Sequence, residues 1–144
     1  MDRLTPAQRS ENMSRIRGRN TSPEIHLQYR LKALGFRFRI HADDLPGTPD
    51  IVFRSRRAVI FLHGCFWHRH NCGLAYNPKT RRRFWSKKFQ RNVERDKFVI
   101  RSLKADGWRV KVVWECELRD GDRLNRALKQ FLRTKPPYST RGLR

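Results

Sequence analysis

Apolar positions along this chain follow two periods, one of strands and one of helices. Ala58-Val59-Ile60-Phe61-Leu62 is an unbroken apolar run with the length of a buried strand, and Trp108-Arg109-Val110-Lys111-Val112-Val113-Trp114 alternates as another core strand should. Asp50-Ile51-Val52-Phe53 reads as a strand that a tight basic turn, Arg54 to Arg57, returns onto the run at Ala58. This hairpin puts Asp50 at one end and His63 at the other, so the two ends can lie on the same side of the sheet. Phe36-Arg37-Phe38-Arg39-Ile40 alternates apolar and basic residues and predicts a half-buried strand, followed by a connection rich in Pro and Gly from His41 to Pro49.

The helical period predicts four further elements. Thr5-Pro6-Ala7-Gln8 carries a capping-box pattern with Pro at the first helical position and starts a helix to about Arg17. Met13 and Ile16 share one face of it among Arg9, Arg15 and Arg17. That face suits either a frayed basic terminus with one packed side, the commoner case, or a helix laid on a charged partner. Ser22-Pro23-Glu24 opens a second helix with Ile25, Leu27, Leu31 and Leu34 as its buried face and Gly35 at its end. Glu24, in its first turn, is most simply a carboxylate on the helix dipole. A long helix from about Arg81 to Ala105 uses Phe89, Val93, Ile100 and Leu103, and a last one uses Leu124, Ala127, Leu128, Phe131 and Leu132. The order helix, helix, strand, strand, strand, helix, strand, helix predicts an α/β fold with a mixed central sheet.

Asp96 falls on the apolar stripe of the long helix, three residues after Val93, with Asn92 as its helical neighbour. An inward carboxylate is costly unless paired, so Asp96 belongs either to an ion pair with an Arg or to a site.

Composition then narrows the partners. The chain has 144 residues, enough for one domain, and its 34 Lys plus Arg against 13 Asp plus Glu give a formal charge of +21. Such a charge favours polyanions, since Lys and Arg on phosphates release counterions. Ordinary solvated helix surface or a ribosomal type of RNA binder would show a similar balance, whereas no basic amphipathic anchor for a membrane is evident. With neither a signal-peptide pattern nor a bilayer-length apolar run, a soluble intracellular protein is expected. The 3 cysteines point to metal ligation rather than a disulfide framework.

The chemistry concentrates in His63-Gly64-Cys65-Phe66-Trp67-His68-Arg69-His70-Asn71-Cys72, directly after the apolar run. Cys65, His70 and Cys72 with Cys116 make a Cys3His set of the structural-zinc type, although the spacing is not that of a standard zinc finger and buried free thiols remain an alternative. Asp50 is a hard ligand suited to Mg2+, His63 and His68 are suited to proton transfer near neutral pH, and Asp96 can orient one of them. Alone, each has a bland reading as a cap, a turn or a satisfied polar group; together they fit metal-assisted phosphodiester hydrolysis. Phe66 and Trp67, joined by Trp85 among Arg81, Arg82, Arg83, Lys87 and Lys88, suit a wedge that unstacks a base step, unless all three plug the core beneath the loop.

Pro46-Gly47-Thr48-Pro49-Asp50, Phe61-Leu62-His63-Gly64-Cys65-Phe66-Trp67-His68, Asn92-Val93-Glu94-Arg95-Asp96, Gly107-Trp108-Arg109-Val110 and Val113-Trp114-Glu115-Cys116 together resemble the very short patch repair (Vsr) mismatch endonucleases. The resemblance implies a three-layer α/β/α, restriction-endonuclease-like fold with a structural zinc site. It implies Mg2+-dependent nicking of double-stranded DNA on the 5′ side of the thymine in a T:G mismatch left by deaminated 5-methylcytosine. Asp50 and the main-chain carbonyl of Leu62 would hold Mg2+, His68 would be the general base oriented by Asp96, and His63, Glu24 and Asn92 would support the site. Cys65, His70, Cys72 and Cys116 match the zinc ligands; Phe66, Trp67 and Trp85 match the intercalating aromatics, with Met13 entering from the other groove. Leu62 stands where Thr is expected, which removes a hydroxyl but not a carbonyl. The implied organisation is one endonuclease domain over 1–144: a basic DNA-contacting helix at 1–19, a catalytic core at 20–134 and a basic tail at 135–144. It would be a monomeric, bacterial, cytoplasmic enzyme, with a mismatch-repair protein or the cognate cytosine methyltransferase as further partners. Two alternatives stand beside it: a zinc-stapled nucleic-acid-binding protein without catalysis, and a nuclease of the same fold serving a restriction system.

Overall fold

The computed structural model describes residues 22–70, 72 and 77–133. The helix expected from Thr5 to Arg17, with Met13, and the basic tail lie outside the described residues. Helix α1, Ser22–Ala33, buries Leu27 and Leu31 one turn apart, whereas Ile25 is 51% exposed. The expected four-residue apolar face is therefore too wide: two residues, about 200° of helical rotation, separate Ile25 from Leu27. Gly35, at φ +87°, ends the helix, with its N–H on the Lys32 carbonyl and the Phe36 N–H on the Leu31 carbonyl. That pair of bonds satisfies carbonyls the helix would leave open.

Strands β1 (Arg39–Ile40), β2 (Ile51–Phe53), β3 (Ala58–His63) and β4 (Arg109–Trp114) form one four-stranded sheet in that order. β1, β2 and β3 are antiparallel neighbours and β4 runs parallel to β3. A parallel neighbour needs a long crossover, and the 24-residue helix α2, Arg82–Ala105, forms part of it. Helix α3, Gly121–Arg133, follows β4 after a short 3-10 turn. β1 is shorter than the alternation from Phe36 to Ile40 predicts: its register sets Phe38 opposite Phe53, the last residue of β2, and Arg37 opposite Arg54, where the 3-10 turn has already begun. Phe36 and Phe38 instead pack edge-on against the Phe53 ring.

Alternate residues of the sheet enter two cores. Ile51, Phe53, Ala58, Ile60 and Val113 pack with Leu27 and Leu31 of α1 and Leu124, Leu128 and Leu132 of α3. Val52, Val59 and Phe61 pack on the other face with Leu103 of α2, Trp108 and Ala42. Coverage on both faces explains why Ala58 to Leu62 is apolar without interruption. Among the described residues no helix is long and apolar enough to cross a membrane.

The connection from β1 to β2 is held close to α2 at Gly47. Its φ is +72°, and a Cβ there would lie 2.5 Å from Val99 Cγ1. Gly47→Ala is expected to destabilise the fold by about 1–3 kcal/mol, from backbone strain and overpacking together, read as a lower urea midpoint. An unchanged midpoint would show that the connection shifts freely.

Candidate active site

The β2–β3 hairpin makes the first half of the site. Asp50 stands just before β2, and its Oδ2 accepts the Leu62 N–H of β3 at 2.7 Å. The N–H and C=O of one strand residue point to the same flank, so the Leu62 carbonyl faces the side on which Asp50 lies. Burial pushes the Asp50 carboxyl up to about 6 against the effect of the Leu62 N–H, and the Glu24 charge adds to the rise. Glu24, in the first turn of α1, has Oε2 2.9 Å from His41 Nε2. One donor atom from each of Glu24, His41 and Asp50 lies within 4.8 Å of the others. Two carboxylates so close repel one another until a cation joins them, and this oxygen-rich set with a main-chain carbonyl beside it fits a divalent ion.

The β3 end and the loop after it make the second half. His68 Nδ1 donates to Asp96 Oδ2 at 2.5 Å, which leaves Nε2 of that imidazole as its open acceptor. Asp96 thus pairs with a histidine, not with the Arg that its helical position equally allows. The His63 ring stacks on His68 with centroids 3.9 Å apart and planes 6° from parallel, and His63 Nδ1 is 4.0 Å from the same carboxylate oxygen. Burial first, and then the His68 charge, hold the His63 imidazole down to about 4, so it is neutral at physiological pH. Trp114, at the end of β4, meets both rings edge-on. The two halves are coupled, since positive charge on His41 or His68 draws the Asp50 carboxyl downward.

Asn92, expected to assist near Asp96, is buried one turn away and serves the loop. Its Nδ2 donates to the Trp67 carbonyl at 3.2 Å, and Arg95 donates to its Oδ1 at 3.0 Å.

That loop leaves β3 at Gly64 and turns tightly, with His68 N–H on the Gly64 carbonyl and His70 N–H on the Cys65 carbonyl. The turn brings His70 back over Cys65. Ligand atoms of Cys65, His70, Cys72 and Cys116 all lie within 4.8 Å of one another. His70 Nδ1 is 3.7 Å from Cys65 Sγ and 3.4 Å from Cys116 Sγ. Corners of a tetrahedron around a cation with bonds of about 2.0–2.3 Å are separated by roughly 3.5–3.8 Å, so the spacing fits a four-coordinate soft-metal site. Cys116 follows β4, so the set spans the loop and the end of the sheet.

Between these ligands, Phe66 and Trp67 join Trp85 of α2 in a cluster of rings separate from both cores. Phe66 contacts Trp67, Trp85 and Phe89 with centroids 5.1, 5.6 and 5.1 Å away, and Trp67 lies 5.8 Å from Trp85. All three residues are half-buried, and none plugs the core of the sheet. Phe84, 43% exposed, belongs to the cluster through Trp85. Arg69, Lys88 and Arg81 stand over Phe89, Trp67 and Phe84 at 4.1, 5.1 and 4.3 Å, so cations frame the rings.

Two members of the site escape the sequence patterns. Phe84 has only its place beside Trp85 to mark it. His41 is legible in principle, because extending the antiparallel pairing of Ile40 with Ile51 by one step sets His41 opposite Asp50.

The family model for the DNA mismatch endonuclease Vsr matches residues 1–74. The chain is 50% identical over 131 residues to the type II nicking enzyme V.XorIIP of Xanthomonas oryzae pv. oryzae, covering 91% of this chain and 96% of that one. It is 48% identical over 118 residues to the DNA mismatch endonuclease Vsr of Escherichia coli, covering 82% and 76% respectively. A third relative, the type II nicking enzyme V.NmeAIP of Neisseria meningitidis, is 38% identical over 134 residues, covering 90% and 96%.

Proposed function

Since the chain belongs to the Vsr family of DNA mismatch endonucleases, we propose that it nicks double-stranded DNA 5′ of the thymine in a T:G mismatch, by Mg2+-dependent hydrolysis on a restriction-endonuclease-like fold. The observation that carries this reading is the single loop from Gly64 to His70. It holds two of the four soft-metal ligands, two rings of the aromatic cluster, and the imidazole seated on Asp96.

Asp50 and the Leu62 carbonyl would hold the Mg2+, with Glu24 at hand for its water shell. When bound, the ion supplies positive charge against the scissile phosphate and its leaving oxygen. His68 takes the proton of the attacking water on Nε2, because Asp96 fixes Nδ1 as the donor and stabilises the imidazolium that results. His63 supports the ring of His68 by stacking and, being neutral, adds no charge to repel that imidazolium. Cys65, His70, Cys72 and Cys116 would hold Zn2+ and so fix the loop, and Asn92 holds its midpoint through Trp67.

The rings serve as a wedge. A T:G step is easier to unstack than a paired one, and rings already clustered under cations lose little freedom on entering it. Ala in place of both Phe66 and Trp67 is expected to cost about 1–3 kcal/mol for each base stacked, and to reduce the preference for T:G over T:A in equilibrium binding by roughly tenfold. An undiminished preference would place recognition elsewhere.

The decisive assay uses Mg2+ and duplexes that differ only in T:G or T:A at one position. Nicking confined to T:G supports the reading; equal cutting of both, or of neither, removes it. Cutting of the paired duplex would favour a nuclease of a restriction system.

A further inference from the structure

His41 lies where neither the metal chemistry nor the proton transfer described above uses it. Its N–H donates to the Asp50 carbonyl at 3.1 Å and Ala42 N–H donates to the Pro49 carbonyl at 3.2 Å, so pairing continues past the end of β1 and sets His41 directly across from Asp50. Its φ is +50°, in the left-handed region where non-glycine residues are uncommon. The side chains of His41 and Glu24 are only 9% and 12% exposed, and His41 Nε2 is 2.9 Å from Glu24 Oε2. Asp50 accepts its one side-chain hydrogen bond among the described residues on Oδ2, leaving the other oxygen as a donor to a cation. Donor atoms of all three side chains fall within 4.8 Å of one another.

Resting on the assignment of Asp50 as a cation ligand, we propose that His41 is a direct nitrogen ligand at the Asp50 cation site, joining Asp50 and the Leu62 carbonyl, with Glu24 beside it. The consequence is a site that discriminates between cations. Mg2+ is hard, prefers oxygen and gives up its waters reluctantly, so an imidazole adds little for it. First-row transition ions gain from nitrogen donors, beginning with Mn2+ and rising along the series. The site therefore holds Mn2+ more tightly relative to Mg2+ than carboxylates and a carbonyl alone would. An ion pair between His41 and Glu24 accounts for the 2.9 Å contact equally well, but it predicts no nitrogen on the bound ion.

The test uses zinc-loaded full-length protein titrated with Mn2+ alone, followed by electron paramagnetic resonance, with Mg2+ affinity read by competition. In the wild type, electron spin echo modulation from a directly bonded 14N is expected. His41→Gln, which exchanges the nitrogen for a hard oxygen, should abolish that modulation and weaken Mn2+ by about tenfold while changing Mg2+ by less than about threefold. Absence of nitrogen coupling in the wild type overturns the proposal, as does coupling that persists in His41→Gln. Should that variant fail to fold, as judged by melting and zinc content, His41→Ala and the wild-type spectrum decide in the same way. Asp50→Asn separates the two levels: if it retains full Mn2+ affinity, the Asp50 assignment itself falls. If it loses Mn2+ while His41→Gln does not, only the role of His41 is refuted.

Discussion

His68→Ala is expected to lower single-turnover nicking of a T:G duplex by about 100- to 10,000-fold while duplex affinity stays within about threefold. The size follows from what is removed. Nδ1 of His68 is tied to Asp96 at 2.5 Å, so the side chain has one orientation and one free nitrogen, the conditions under which a general base contributes most. Binding is spared because the wedge and the cationic surface are untouched. Asp96→Asn supplies the control: it keeps the shape but can present an amide N–H to Nδ1, which favours the tautomer that blocks Nε2, so the rate falls without a change in melting temperature. Asp50→Asn should match or exceed the His68 effect, as it removes a carboxylate from the cation site. A His68→Ala enzyme with more than about a tenth of wild-type rate would show that another group takes the proton.

The parts of this site that were legible in the sequence are those set by short-range pattern. The apolar run at Ala58 to Leu62 and the basic turn before it define a hairpin, and a hairpin places Asp50 against Leu62 and His63 with little room for error. The three cysteines and His70 converge as expected because one turn, from Gly64 to His70, does most of the folding back. Asp96 was ambiguous for a physical reason: a carboxylate on an apolar stripe must be paired, but periodicity does not say with what, and His68 is supplied by a distant loop. Ile25 departs from the apolar pattern because hydrophobicity carries no angle; it lies across the helix from Leu27 and faces solvent. Asn92 shows a different limit of local pattern. Its neighbour in the helix is Asp96, but its hydrogen bonds go to the Trp67 backbone, a tertiary partner that no spacing rule predicts. The resemblance to the Vsr family implies roles for Glu24 and Asn92 that local pattern does not.

Removing zinc, or replacing Cys116 by Ala, is expected to lower the melting temperature by on the order of 10 °C or more and to weaken the near-ultraviolet circular dichroism of the tryptophans, with Trp108 in the core retaining its share. Structural zinc contributes apparent binding energies of about 10–16 kcal/mol in small sites, comparable with the whole stability of a domain at about 5–15 kcal/mol. Even a fraction of that is large here, because the ligands join two separate parts of the fold: Cys65 and His70 on the loop, Cys116 beyond β4. His70 also stacks on Trp114 with centroids 4.2 Å apart, and Trp114 in turn meets His63 and His68 edge-on. Loss of the metal would therefore reach the proposed proton-transfer pair through packed rings as well as through the chain. The chelated protein should lose nicking and mismatch preference together, whereas His68→Ala loses only the first and the double change at Phe66 and Trp67 chiefly the second. Metal-free protein that melts like the wild type and still discriminates T:G from T:A would mean that hydrogen bonds and ring contacts alone hold the loop.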